Sequence, residues 1–196
     1  MFAVRPTVLK ESTKVMSVTL DPHSGHLSGA EITHSFRTIG ALTGYFADEI
    51  ARSAMDQDTI VYRVESYEPV PEGQAGAVCC ATTFLSAGRV GDEYFMTRGH
   101  FHANQDRPEL EVTVSGEGAL VLMSTGRETI IERMRPRSVH HVPSGTAHRV
   151  ANNGTETLVF ISYWASETGH DYETIRLHGF GGRVLLVEGQ PELVMI

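Results

Sequence analysis

Gly99-His100-Phe101-His102 sets two imidazoles two positions apart. On an extended strand alternate residues face the same way, so the two rings project side by side, about 6–7 Å apart at their Cα atoms, and can chelate one ion. Such a pair also arises without a metal in a chain that holds 10 histidines, so further ligands decide its meaning. After the turn-like ANQDRP comes the alternating run ELEVTVSGEG, with Glu109, Glu111 and Thr113 on one face and Leu110, Val112 and Val114 on the other. A carboxylate from this strand adds an oxygen ligand; the plain alternative, strongest for Glu111, is solvated glutamates on an exposed face. Further on, the turn Pro143-Ser144-Gly145 leads to His148 at the start of another strand. Three imidazoles and one carboxylate form a mixed nitrogen and oxygen set. It suits Fe2+, Mn2+, Ni2+, Co2+ or Zn2+ and is too nitrogen-rich for Mg2+ or Ca2+. Four protein ligands leave two positions of an octahedral ion open to a chelating substrate.

Side chains so far apart in sequence need a frame to bring them together. From residue 59 onward, short segments rich in Val, Ile, Thr and aromatics follow one another, with Gly, Pro and Asn between them. That recurrence predicts an antiparallel all-β sandwich or barrel over residues 59–196. Residues 1–58 read as an irregular arm packing on it. Within the arm KVMSVTL (14–20) suits a short strand, and residues 31–58 one or two short helices interrupted by Gly40 and Gly44. A length of 196 residues suits one sizeable core. With 16 Lys+Arg against 24 Asp+Glu and a formal charge of −8, broad binding to nucleic acid or an anionic membrane is not expected. No apolar run reaches the roughly 20 residues of a spanning helix, and the N-terminus lacks the pattern of a signal peptide, so a cytoplasmic protein is expected. Adjacent Cys79 and Cys80 sit in an apolar run and read as small core residues rather than a disulfide.

The pattern His100-x-His102, six residues, Glu109, six residues, Gly116 resembles the first cupin motif, and Pro143-x-Gly145-x-x-His148-x-x-x-Asn152 resembles the second. Tyr94 and Arg137 stand where each motif usually begins with glycine. The likeness extends through EYFMTRGHFHANQDRPELEV, VPSGTAHRVAN and Gly169-His170-Asp171-Tyr172, together with LTGYFADE (42–49) and Ile60-Val61-Tyr62, to the cupin-type glucose-6-phosphate isomerases. It covers roughly residues 40–180. The fold it implies is an all-β cupin, a double-stranded β-helix or jelly-roll barrel, behind a partly helical arm.

That resemblance implies a metal-dependent aldose–ketose isomerase acting on glucose 6-phosphate and fructose 6-phosphate, with one divalent ion on His100, His102, Glu109 and His148. Hydrogen moves between C1 and C2, either as a proton through a cis-enediolate or as a hydride. Glu109 is the candidate to move the proton, although a liganding carboxylate is a weak base. His170 is assigned to substrate binding and ring opening, and Tyr163 to the pocket as a catalytic and phosphate-binding residue. The phosphate falls to Tyr62, Thr83, Thr97, the Gly99 N–H and Tyr163, neutral donors that satisfy phosphate oxygens without a full countercharge. Strand alternation points Arg98 away from Thr97, which makes it a surface or interface residue. The family often carries an aromatic at the position of Glu111. A homodimer is expected. A cupin oxygenase or decarboxylase, and a non-catalytic sugar-phosphate-binding cupin, are the alternatives.

Overall fold

The computed structural model describes residues 17–29 and 31–196; the other residues of the expected arm lie outside it. The largest sheet has six antiparallel strands in the order Val139–Val142, Glu109–Ser115, Leu158–Ala165, Val78–Leu85, Ile60–Tyr67 and Ile32–Thr38. A three-stranded sheet runs Thr129–Met134, Gly118–Met123, Ala147–Ala151. The two share one core, in which Leu85, Leu158 and Phe160 cluster with Leu120, Leu122 and Val150. Gly118–Met123 is buried at every position, as its unbroken apolar run requires of a strand covered on both faces. A four-stranded sheet of Gln190–Met195, Gly182–Val187, Glu93–Tyr94 and Arg89–Val90 completes the wall. The architecture is the all-β cupin barrel that the motifs imply.

The arm differs from its reading in one respect. Ile32–Thr38, counted with a partly helical segment, is a strand paired along Ile60–Tyr67, so the sheet begins upstream of residue 59. Its own pattern is weak, with most positions exposed, and it is the neighbouring strand that holds it extended. Short helices do follow: a 3-10 turn at Gly40–Leu42, and Glu49–Ala54, whose first turn is capped by the Asp48 carboxylate accepting from the Ala51 N–H at 2.8 Å. Residues 17–28 fold over the outer face of the large sheet. There Thr82 donates to the Gly25 carbonyl at 2.6 Å, and His26 pairs with Glu65 at 2.8 Å.

The Glu109–Ser115 strand alternates as its sequence says, but with the polar face inward. Glu109, Glu111 and Thr113 are buried while Leu110 is exposed. A sheet that turns carboxylates toward the barrel and leucine outward gives up hydrophobic burial of roughly 2 kcal/mol per apolar side chain. What is gained is a polar interior surface.

Candidate metal centre and cavity

Backbone pairing brings the four proposed ligands together. His100 and His148 exchange both backbone hydrogen bonds, His100 N to His148 O at 3.2 Å and His148 N to His100 O at 3.1 Å. His102 sits opposite His170 in a two-strand pair, and Glu109 opens the next long strand. Gly99 permits this path: its φ is +73°, and a Cβ there would lie 2.9 Å from the His148 carbonyl. One ligand atom from each of His100, His102, Glu109 and His148 falls within 4.8 Å of the others.

The polar bookkeeping of this group fits a cation. His102 Nδ1 lies 2.6 Å from the Arg107 carbonyl and must donate to it. Its Nε2 faces the Glu109 Oε2 at 3.1 Å, an ion pair when the ring is protonated and a nitrogen and an oxygen ligand for one cation when it is neutral. His100 Nε2 is buried without any partner. Burial, followed by the neighbouring His148, His170 and His102, holds His100 well below the ordinary imidazole value, and burial lowers His148 although Glu109 opposes it. Burial pushes Glu109 upward, but His148, His102 and a hydrogen bond from Ser162 outweigh it, leaving the carboxyl below its usual value. Imidazoles pushed toward the neutral form at His100 and His148, beside a carboxyl pushed toward the ionised form at Glu109, are in the states that ligate a transition metal.

These residues border a cavity of about 450 Å³. His100, Glu109, His148 and His170 line it directly, and His102 lies behind them at 3% exposure. Tyr62, Thr83, Thr97 and Gly99, the proposed phosphate donors, line the same cavity. The Thr97 hydroxyl accepts from the Val150 N–H at 3.1 Å, so its own proton is free to point elsewhere. His170 donates its Nδ1–H to the Glu72 carboxylate, 2.6 Å away, stacks on Tyr172 at 5.7 Å, and meets the His100 ring edge-on at 4.6 Å.

Two readings need correction. Tyr163 does not reach this cavity. It pairs with Leu110 and Cys80 on the outer face of the sheet and lines a separate shallow pocket with Pro108 and His141, because its neighbour Ser162 takes the inward position. The phenol that lines the cavity beside Tyr62 is Tyr172, two residues after His170 in the same short motif; that common stretch was the available signal. Arg98 is not turned away either. The chain around it is no regular strand, Gly99 reverses its twist, and both Thr97 and Arg98 line the cavity. Its guanidinium lies 4.1 Å from the centre of the Tyr172 ring and hydrogen-bonds Tyr62. Arg37, from the edge strand of the arm, lines the cavity too. Glu111, for which solvent was the simple alternative, is 2% exposed inside it. Burial and then the Glu109 charge push its carboxyl well above the usual range.

Residues 36–194 match a family model described as glucose-6-phosphate isomerase (GPI). The glucose-6-phosphate isomerase of Thermococcus kodakarensis is 35% identical over 185 residues, covering 94% of this chain and 96% of that protein. Its counterpart in Pyrococcus horikoshii is 36% identical over 181 residues, 91% of this chain and 94% of that one. A bacterial relative of the same name, from Sinorhizobium medicae, is 38% identical over 172 residues, 86% of this chain and 78% of its own. Among solved structures, an oxalate decarboxylase from Bacillus subtilis aligns with 56% of this chain and 26% of its own, at 19% identity and a TM-score of 0.44.

Proposed function

The chain belongs to the glucose-6-phosphate isomerase family, and from that premise we propose that it interconverts glucose 6-phosphate and fructose 6-phosphate with one divalent transition metal. The observation that carries the reading is one cavity lined both by members of a four-residue ligand group and by hydroxyl, phenol and guanidinium groups that suit a phosphate. When bound, the metal would act as a Lewis acid toward the oxygens on C1 and C2 of the open-chain sugar. His100, His102, Glu109 and His148 would hold it.

The remaining chemistry falls to the protein. Tyr62, Thr83, Thr97 and the Gly99 N–H donate to the phosphate, and Arg98 and Arg37 supply the countercharge that a dianion needs. Their position fixes which end of the sugar meets Glu109. Glu109, ionised at neutral pH, carries the proton between C1 and C2. His170, steadied at Nδ1 by Glu72, presents its other nitrogen for proton exchange with the ring oxygen and the C1 hydroxyl as the sugar opens. A hydride shift is the second route for the same overall change. Solvent deuterium in the product distinguishes them, since only proton transfer exchanges with water.

The test is a coupled assay with fructose 6-phosphate on chelator-stripped protein reloaded with Fe2+, Mn2+, Ni2+, Co2+ or Zn2+ singly. Turnover restored by at least one metal is expected; none with any of the five refutes the proposal. We place the activity in the cytoplasm; among the described residues no helix is long and apolar enough to cross a membrane. A homodimer is proposed through the outer sheet face, where Val78, Leu110 and Val139 stand exposed. Sedimentation at micromolar concentration checks this, and a monomer there would refute it.

A further inference from the structure

Glu111 is the one buried acid of the cavity that belongs neither to the ligand group nor to the proposed phosphate donors. It is 2% exposed, it lines the cavity, and its Oε2 has no hydrogen-bond partner. A buried carboxyl oxygen without a partner is costly unless something that binds there satisfies it. Strand pairing fixes its height. On the inner face of the large sheet, Glu109 pairs with Trp164, Glu111 with Ser162 and through it Ala81 and Ser66, and Thr113 with Phe160 and through it Thr83. Three successive rows therefore run from the ligand Glu109 to Thr83, one of the proposed phosphate donors, with Glu111 in the middle one. Alternate residues on a strand are about 7 Å apart, so the middle row lies opposite the carbons between the reacting C1–C2 pair and the phosphorylated C6.

We infer that Glu111 is a specificity-determining residue that hydrogen-bonds the hydroxyl groups at C3 and C4 of the sugar phosphate. The inference rests on the isomerase reading of the same cavity. A carboxyl keeps an acceptor oxygen in either protonation form, so the contact needs only hydroxyls at that height. It also accounts for an acid inside a site that must admit an anion. Set in the middle row, Glu111 meets the uncharged part of the substrate, while Arg98, Tyr62 and Thr83 meet the phosphate.

The test measures binding rather than turnover. Glucitol 6-phosphate, which cannot isomerise, and its 3-deoxy and 4-deoxy analogues are titrated calorimetrically into the metal-loaded protein. Wild type should bind at least one deoxy analogue about 10- to 100-fold more weakly than the parent, because the analogue leaves Glu111 unpaired. Glu111→Leu and Glu111→Ala, two apolar variants of different volume, should bind parent and analogues alike. If wild type binds all three ligands equally, or if the variants keep the wild-type discrimination, the inference is overturned while the isomerase reading stands. Should wild type neither bind the parent nor turn over fructose 6-phosphate, the isomerase reading falls and the inference with it.

Discussion

Gly99→Ala tests how the metal group is assembled. Gly99 has φ of +73°, a region that costs a residue with a Cβ about 1–2 kcal/mol. The added methyl would lie 2.6 Å from Phe180 Cε2, 2.9 Å from Arg149 Cβ and 2.9 Å from the His148 carbonyl oxygen. None of these can yield cheaply. Phe180 is 2% exposed with the Arg149 guanidinium 4.2 Å from its ring centre, and the His148 carbonyl accepts from the His100 N–H. Overpacking of that kind adds about 1–3 kcal/mol, and relief would come by prising His100 from His148. Gly145 is the control, with φ of +71° and nothing within 4 Å of a built Cβ, so Gly145→Ala should show the conformational cost alone. At about 2–4 °C per kcal/mol for a chain of this size, Gly99→Ala should unfold roughly 2–12 °C below Gly145→Ala. Its metal affinity should fall about 10- to 100-fold, as when support behind a ligand is lost. Thermal unfolding of chelator-stripped protein and competition with a chromophoric chelator measure the two effects. Equal melting temperatures for the two variants, or wild-type metal affinity in Gly99→Ala, would refute the reasoning.

Arg98→Met should raise KM for fructose 6-phosphate about 10- to 100-fold with kcat little changed, since a charge-assisted bond to the phosphate is worth about 1.5–3 kcal/mol; an unchanged KM in steady-state kinetics would return Arg98 to a structural role. Tyr172→Phe should raise KM about fivefold, while Tyr163→Phe should leave both constants within about twofold, and the reverse ranking would restore the outer-face tyrosine to the site. His100 and His148 are held below their ordinary value of 6.5, so in metal-free protein the unfolded chain takes up protons there before the folded one. Stability should therefore drop as pH falls below about 6.5, and more gently in His100→Gln. Melting curves across that range decide it, and a variant with the wild-type slope would remove His100 as the cause.

The sequence by itself determined more of the metal group than of the cavity around it. His100 and His102 share a face because strands alternate, and Glu109 and His148 follow at spacings that a cupin barrel folds back onto them. Such local periodicity is written residue by residue, and so were most of the barrel's strands. It could not say which side of the Glu109–Ser115 strand faces inward. Hydrophobicity favours burying Leu110 and Val112, yet the barrel turns Glu109 and Glu111 inside, because that side meets the imidazoles of other strands. Tyr163 is turned away on the same ground, since inward or outward is a property of the sheet's closure and not of the segment, whereas Tyr172 reaches the cavity from the first turn of the helix Tyr172–His178. Ile32–Thr38 carries no strong strand pattern of its own and is extended only by its pairing with Ile60–Tyr67, which also brings Arg37 to the cavity. Alternation likewise failed for Arg98, where Gly99 in left-handed conformation breaks the extended run. Ligand identity follows from periodicity along the chain, whereas the side of a sheet, the path of an irregular segment and the environment of a buried carboxyl follow from contacts between strands far apart in sequence.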